Sequence, residues 1–132
     1  MPPRTEFPLA IDPRARPYLI LHGVRKRWAL VVLDDDKLIA QFGPWRLSTE
    51  ISNIARTTVT GPYRWYRAIG VRMSLVDRGL TFGSNARAGL CIEFVRPVQA
   101  FLPVRHPGLT VTVADPEGLK TAIENRHPPI RA

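Results

Sequence analysis

The chain has 132 residues, 45% of them hydrophobic, and a formal net charge of +8. Those values suit one globular domain with a real core and exclude a disordered chain. The single cysteine, Cys91, excludes an intrachain disulfide and a multi-cysteine metal knuckle, so a reducing cytoplasm is the expected compartment. Met1-Pro2-Pro3-Arg4 lacks the apolar core of a signal peptide, and no run approaches the roughly 20 apolar residues of a transmembrane helix.

Of the 19 basic residues, all but Lys26, Lys37 and Lys120 are arginines. GC-rich coding explains such a bias as well as attraction to phosphate does. Position says more than the total. Six basic and two acidic groups fall in residues 1–27, and Arg64, Arg67 and Arg72 stand in residues 62–72 with no acid.

Residues 1–17 hold five prolines and no apolar period, which reads as an irregular arm rather than a second domain. Tyr18 to Leu21 reads as a first short strand, ended by Arg25-Lys26-Arg27. Trp28 to Leu33 is a buried-strand run. Asp34-Asp35-Asp36 makes a turn, because aspartate hydrogen-bonds its own backbone there. Leu38, Ala40 and Phe42 share a face of the return strand, and Gly43-Pro44 turns the next corner. Trp45, Leu47, Thr49 and Ile51 alternate with polar residues at a period of two. Arg56 to Thr60 is rich in β-branched residues and ends at Gly61-Pro62. Val71, Met73 and Leu75 form a strand that Asp77-Arg78-Gly79 turns back into Leu80 and Phe82. Leu90, Ile92 and Phe94 form the next strand, with Pro97 expected to close it. Leu109, Val111 and Val113 face one way in the last.

The terminal helix has the clearest signals. Asp115 is a good cap, Pro116 suits the first helical position and Glu117 complements the dipole. Leu119, Ala122 and Ile123 make one apolar face, and Pro128-Pro129 prevents continuation. The expected domain spans residues 18–126, with a tail over 127–132. Its class is mainly β with one C-terminal helix: seven or eight antiparallel strands, as a barrel or sandwich capped by the helix.

The ending Leu109-Thr110-Val111-Thr112-Val113-Ala114-Asp115-Pro116-Glu117-Gly118-Leu119 resembles that of bacterial pleckstrin-homology-like domains, antiparallel β-barrels or sandwiches with a capping helix. Gly61-Pro62-Tyr63-Arg64-Trp65-Tyr66 is also similar to stretches in small proteins of high-GC bacteria. The resemblance implies a non-catalytic module that binds lipid headgroups, peptides or proteins. The basic phosphoinositide motif of eukaryotic members is not evident; the loop matched to it here is the acidic Asp34-Asp35-Asp36-Lys37, which argues against copying that lipid site.

The densest candidate for binding is the loop from Pro62 to Arg72, where Tyr63, Trp65 and Tyr66 alternate with Arg64, Arg67 and Arg72. Arginine forks match phosphate or carboxylate and stack on aromatic rings. Tyrosine and tryptophan suit a membrane interface, an unstacked base or a protein contact. The alternative is that Trp65 or Tyr66 plugs the fold and the arginines are solvated. Arg25-Lys26-Arg27 is a second basic run, and Arg87 and Arg105 are candidates to extend either patch.

Enzymatic constellations are thin. His22, His106 and His127 lack ligand spacing, and Cys91 falls mid-strand with packing its simplest role. The aspartate triplet lacks the glycine and distant glutamate of a calcium loop. The sequence points to no metal site, cofactor or catalytic residue. The expected function is an adaptor that presents the basic and aromatic loop to a protein partner or an anionic membrane, as a peripheral protein of the inner face. Nucleic-acid binding through the same residues is the alternative, followed by a small-ligand carrier or enzyme with an interior site.

Overall fold

A computed structural model describes residues 5–21, 23, 29–62, 70–73, 79–85, 87–100 and 104–126. In chain order these form β1 (Thr5–Pro8), α1 (Arg16–Leu21), β2 (Ala29–Asp34), β3 (Lys37–Phe42) and β4 (Trp45–Glu50). A 3-10 turn, Ile51–Asn53, leads to β5 (Ile54–Thr60), β6 (Gly70–Met73), β7 (Leu80–Gly83), β8 (Gly89–Gln99), β9 (Arg105–Val111) and α2 (Pro116–Arg126). The chain is mainly β with a C-terminal helix. Its described strands make two sheets, ordered β1-β2-β3-β4 and β5-β8-β9-β7-β6, that do not join into a closed barrel.

The first sheet is an antiparallel meander. Its β2–β3 turn places Asp34 opposite Lys37, with Asp35 in the left-handed region at φ 56, a conformation aspartate tolerates. Alternation then fixes which side chains point inward: Leu38, Ala40 and Phe42 are fully buried. The 3-10 turn carries the chain to the second sheet. There the side-chain amide of Asn53 does a strand's work, accepting from the Arg96 N–H at 2.9 Å and donating to the Arg96 carbonyl at 3.0 Å.

The second sheet departs from the all-antiparallel expectation. β9 lies between β7 and β8, antiparallel to β8 and parallel to β7. Consecutive strands β7 and β8 run in opposite directions, so a strand inserted between them must parallel one of the two. The β8–β9 register shifts between Glu93 and Val98. Pro97 falls inside that irregularity, so it does not close β8 as expected; the strand runs on to Gln99. A bulge is a place where a missing donor is tolerated.

Two further expectations are corrected at the N-terminal end. Residues 5–8 are not an irregular lead-in but strand β1, paired with β2 from Thr5 opposite Leu33 to Pro8 opposite Leu30. Tyr18 to Leu21 is not a strand but the end of α1.

The segment between β1 and α1 stitches the two sheets together. The Leu9 N–H donates to the Ala29 carbonyl at 2.9 Å on one side, while the Ala10 N–H reaches the Thr112 carbonyl at 3.0 Å on the other. The Ala114 N–H bonds the Pro8 carbonyl at 2.8 Å, and Asp12 N–H bonds the Ser84 carbonyl at 2.9 Å. A short side chain reinforces the seam: Ser84 Oγ donates to the Ala10 carbonyl at 2.7 Å.

One apolar core lies between the sheets, drawing Leu33, Leu38 and Leu47 from the first and Leu90, Ile92 and Leu109 from the second. Phe42 of β3 stacks on Phe82 of β7 with ring centroids 5.4 Å apart. α2 follows the sequence signals closely. Gly118 N–H donates to Asp115 Oδ1 at 3.0 Å, and Leu119 and Ile123 are buried. Lys120 Nζ bonds the Thr57 carbonyl of β5 at 3.1 Å. Arg126 bonds the Asp35 carbonyl and Thr5 Oγ1, both at 3.1 Å, so the helix is tied to both sheets.

Candidate binding surface

Arg25, Lys26, Arg27, Tyr63, Arg64, Trp65, Tyr66 and Arg67 lie outside the described residues. Arg72 stands in β6 opposite Thr81. The described residues that bound the two segments are informative. Tyr18 of α1 packs beside Gly70, where a Cβ would lie 3.5 Å from Cε2 of the tyrosine ring. Gly61, at φ +126, lies so close to the next loop that a Cβ would meet the Arg87 carbonyl oxygen and stand 2.8 Å from Ala88 Cα. Only glycine fits there. Gly70 pairs with Gly83, which runs into Ser84 and Asn85. α1, the start of β6, the end of β5 and the β7–β8 loop thus converge on one end of the second sheet.

That end is basic. Asp12 opens a turn into α1: its Oδ1 accepts the Arg14 N–H at 2.9 Å, and its carbonyl accepts the Ala15 N–H at 2.9 Å. The Arg14 N–H holds the Asp12 carboxyl below the usual aspartate range; desolvation opposes this, and the Arg14 side chain and the charge of Arg87 add to it. Arg14 Nε also lies 3.5 Å from Asp12 Oδ1, with the arginine side chain almost fully exposed. Arg16 and Arg87 are exposed as well. The Asp12 carboxylate therefore feels the charge of two arginines, Arg14 and Arg87.

Arg87 is positioned by Asn85, which is almost fully buried. Asn85 Nδ2 donates to the Ala10 carbonyl at 2.7 Å, while its Oδ1 accepts the Arg87 N–H at 2.9 Å. Arg105 belongs elsewhere. It opens β9 opposite Gln99, at the other end of the eleven-residue β8. That is roughly 30 Å from Arg87 at about 3.3 Å per strand residue. Of the two arginines considered as extensions, only Arg87 joins the basic end.

Beside the arginines is exposed apolar surface. Tyr18, Ile20 and Leu21 of α1 are 51%, 46% and 81% exposed, while Leu19 between them is buried. These residues were missed as a site because Tyr18 to Leu21 is too short a run to distinguish strand from helix. The usable signal was Pro17, which suits a first helical turn and not a strand interior.

Among the described residues, groups suited to catalysis are dispersed. Cys91 is half-buried in β8 between Thr58 and Thr110, and His106 is buried in β9 opposite Val98. Among the described residues, no three histidines, cysteines or carboxylates are grouped to hold a metal ion, and no helix is long and apolar enough to cross a membrane. Comparison of the chain with protein-family models, curated proteins and solved structures finds no match.

Proposed function

We propose that this chain is a non-catalytic binding module, similar in kind to bacterial pleckstrin-homology-like domains, that presents a basic and aromatic surface to a protein partner or an anionic membrane. The observation that carries the reading is the grouping of exposed Arg14, Arg16 and Arg87 with exposed Tyr18, Ile20 and Leu21. Arginine supplies orientation and charge-assisted hydrogen bonds, and the apolar side chains supply area removed from water. In the chain, residues 25–27 come shortly after α1 ends at Leu21, and residues 62–72 lead into β6, whose Gly70 lies beside Tyr18.

Co-sedimentation with anionic and neutral vesicles tests the reading, using wild type and a folded Arg64→Glu/Arg67→Glu variant. Binding to anionic vesicles alone, reduced in the variant, is the outcome expected of a peripheral membrane module that uses this loop. Failure to bind either vesicle directs the search to a protein partner. Tight retention of oligonucleotides at low salt, in place of either, would replace this reading with nucleic-acid binding.

A further inference from the structure

We propose that α1 and the turn before it form the bilayer-contacting element of this surface. Tyr18, Ile20 and Leu21 enter the interfacial region of an anionic bilayer, while Arg14, Arg16 and Arg87 bind its lipid phosphates. The inference rests on the functional reading above, and it commits that reading to one kind of partner and to one element.

Three observations carry it. First, Tyr18, Ile20 and Leu21 make up three of the five exposed large apolar side chains among the described residues, and all lie within six residues of helix. α1 buries only Leu19. Tyr18 and Ile20 are about half exposed and Leu21 is largely so, although the protein has an apolar core elsewhere. Exposed apolar surface grouped in this way marks a contact site.

Second, the apolar side chains protrude. Leu21 is 81% exposed at the last turn of the helix. A protein partner would need a pocket shaped to receive such a knob. Fluid hydrocarbon closes around it without one, and tyrosine beside it suits the headgroup level.

Third, the charge has the right sign and place. Arg14 and Arg16 directly precede the apolar residues, and Arg87 acts electrostatically on the same Asp12 carboxylate as Arg14. Anionic headgroups would meet this basic flank as the apolar tip enters. Neither part alone would hold the protein firmly, because stable membrane anchoring generally takes two signals. The seam through Ala10, Ser84 and Asn85 fixes the turn and the Arg87 loop to the sheets, so both parts are presented together.

The test combines sedimentation with a depth-sensitive dye. Wild type and Leu21→Asp are spun with vesicles of phosphatidylcholine alone and with added phosphatidylserine. Because Leu21 is exposed, the variant should melt like wild type. Wild type should pellet with the anionic vesicles only, and Leu21→Asp should bind about tenfold more weakly or worse, as expected for losing one buried leucine. An environment-sensitive dye on Cys91→Ser/Leu21→Cys should brighten and shift to the blue on anionic vesicles. The same dye on Cys91→Ser/Thr58→Cys, exposed on β5, should not change.

Anionic binding by wild type with Leu21→Asp unaffected and the dye at position 21 silent would overturn the assignment to α1, while leaving a binding module that uses another face. Absence of wild-type binding to both vesicles would overturn the membrane inference itself and leave a protein partner as the functional reading.

Discussion

Thr112 Oγ1 meets two atoms of Ser84: the Ser84 N–H donates to it at 2.7 Å, and the Ser84 hydroxyl oxygen stands 2.9 Å from it. Both residues are fully buried, and Ser84 Oγ continues to the Ala10 carbonyl. This polar seam is where the N-terminal segment, the end of β7 and the end of β9 are joined. It also sets the ground on which Arg14 and Arg87 stand.

Thr112→Val keeps the shape and removes the acceptor. The Ser84 N–H is then buried without that partner, which should destabilise the fold by about 1–3 kcal/mol. Urea denaturation monitored by tryptophan fluorescence measures it. A neutral result would mean that the seam is incidental to stability.

Gly61→Ala probes the junction between β5 and the Arg87 loop. At φ +126 an alanine is strained, and its Cβ would collide with the Arg87 carbonyl. A loss of about 1–3 kcal/mol is expected from the backbone conformation alone, with more from the displaced loop. The same denaturation measurement applies, and an alanine variant as stable as wild type would contradict the close approach.

Asp12 should titrate below an ordinary aspartate, because the Arg14 N–H, the Arg14 side chain and the charge of Arg87 favour its ionised form over the opposing desolvation. A depressed folded value means that its contribution to stability is present above the unfolded value and is lost as pH falls through the lowered one. NMR titration of the carboxyl carbon should give a midpoint below that of a short peptide. Arg87→Ala should move the midpoint upward. A midpoint at or above the peptide value would contradict the charge arrangement.

The legible parts of the fold were those written in local pattern. The alternation of Leu38, Ala40 and Phe42 with Lys37, Ile39 and Gln41 gave the buried face of β3, and Asp115-Pro116-Glu117 gave the start of α2. What escaped was non-local. Thr5–Pro8 has little strand character alone and becomes one because β2 offers it a free edge. The insertion of β9 between β7 and β8 follows from strand order, which short-range alternation does not encode. α1 was misread for a related reason: four residues carry too little period, and tertiary contact through Leu19 decides the conformation.

The candidate surface was legible as charge but not as place. In the sequence Arg14 and Arg16 show only as part of a regional excess of charge, and no local pattern places Arg87. Their common location depends on the Asp12 turn, the Asn85 side chain and the approach of Gly61 to Arg87. Each is a contact between residues far apart in the chain or a turn that composition does not specify.

Binding of an Arg14→Glu/Arg16→Glu variant to phosphatidylserine-containing vesicles, at low and high salt, tests the surface most directly. Each basic residue near an anionic surface contributes about 1 kcal/mol. The double charge reversal should therefore weaken low-salt binding by more than tenfold, and the difference from wild type should shrink as salt screens both. Equal binding by variant and wild type at low salt would contradict the proposal that this end of the molecule is its binding surface.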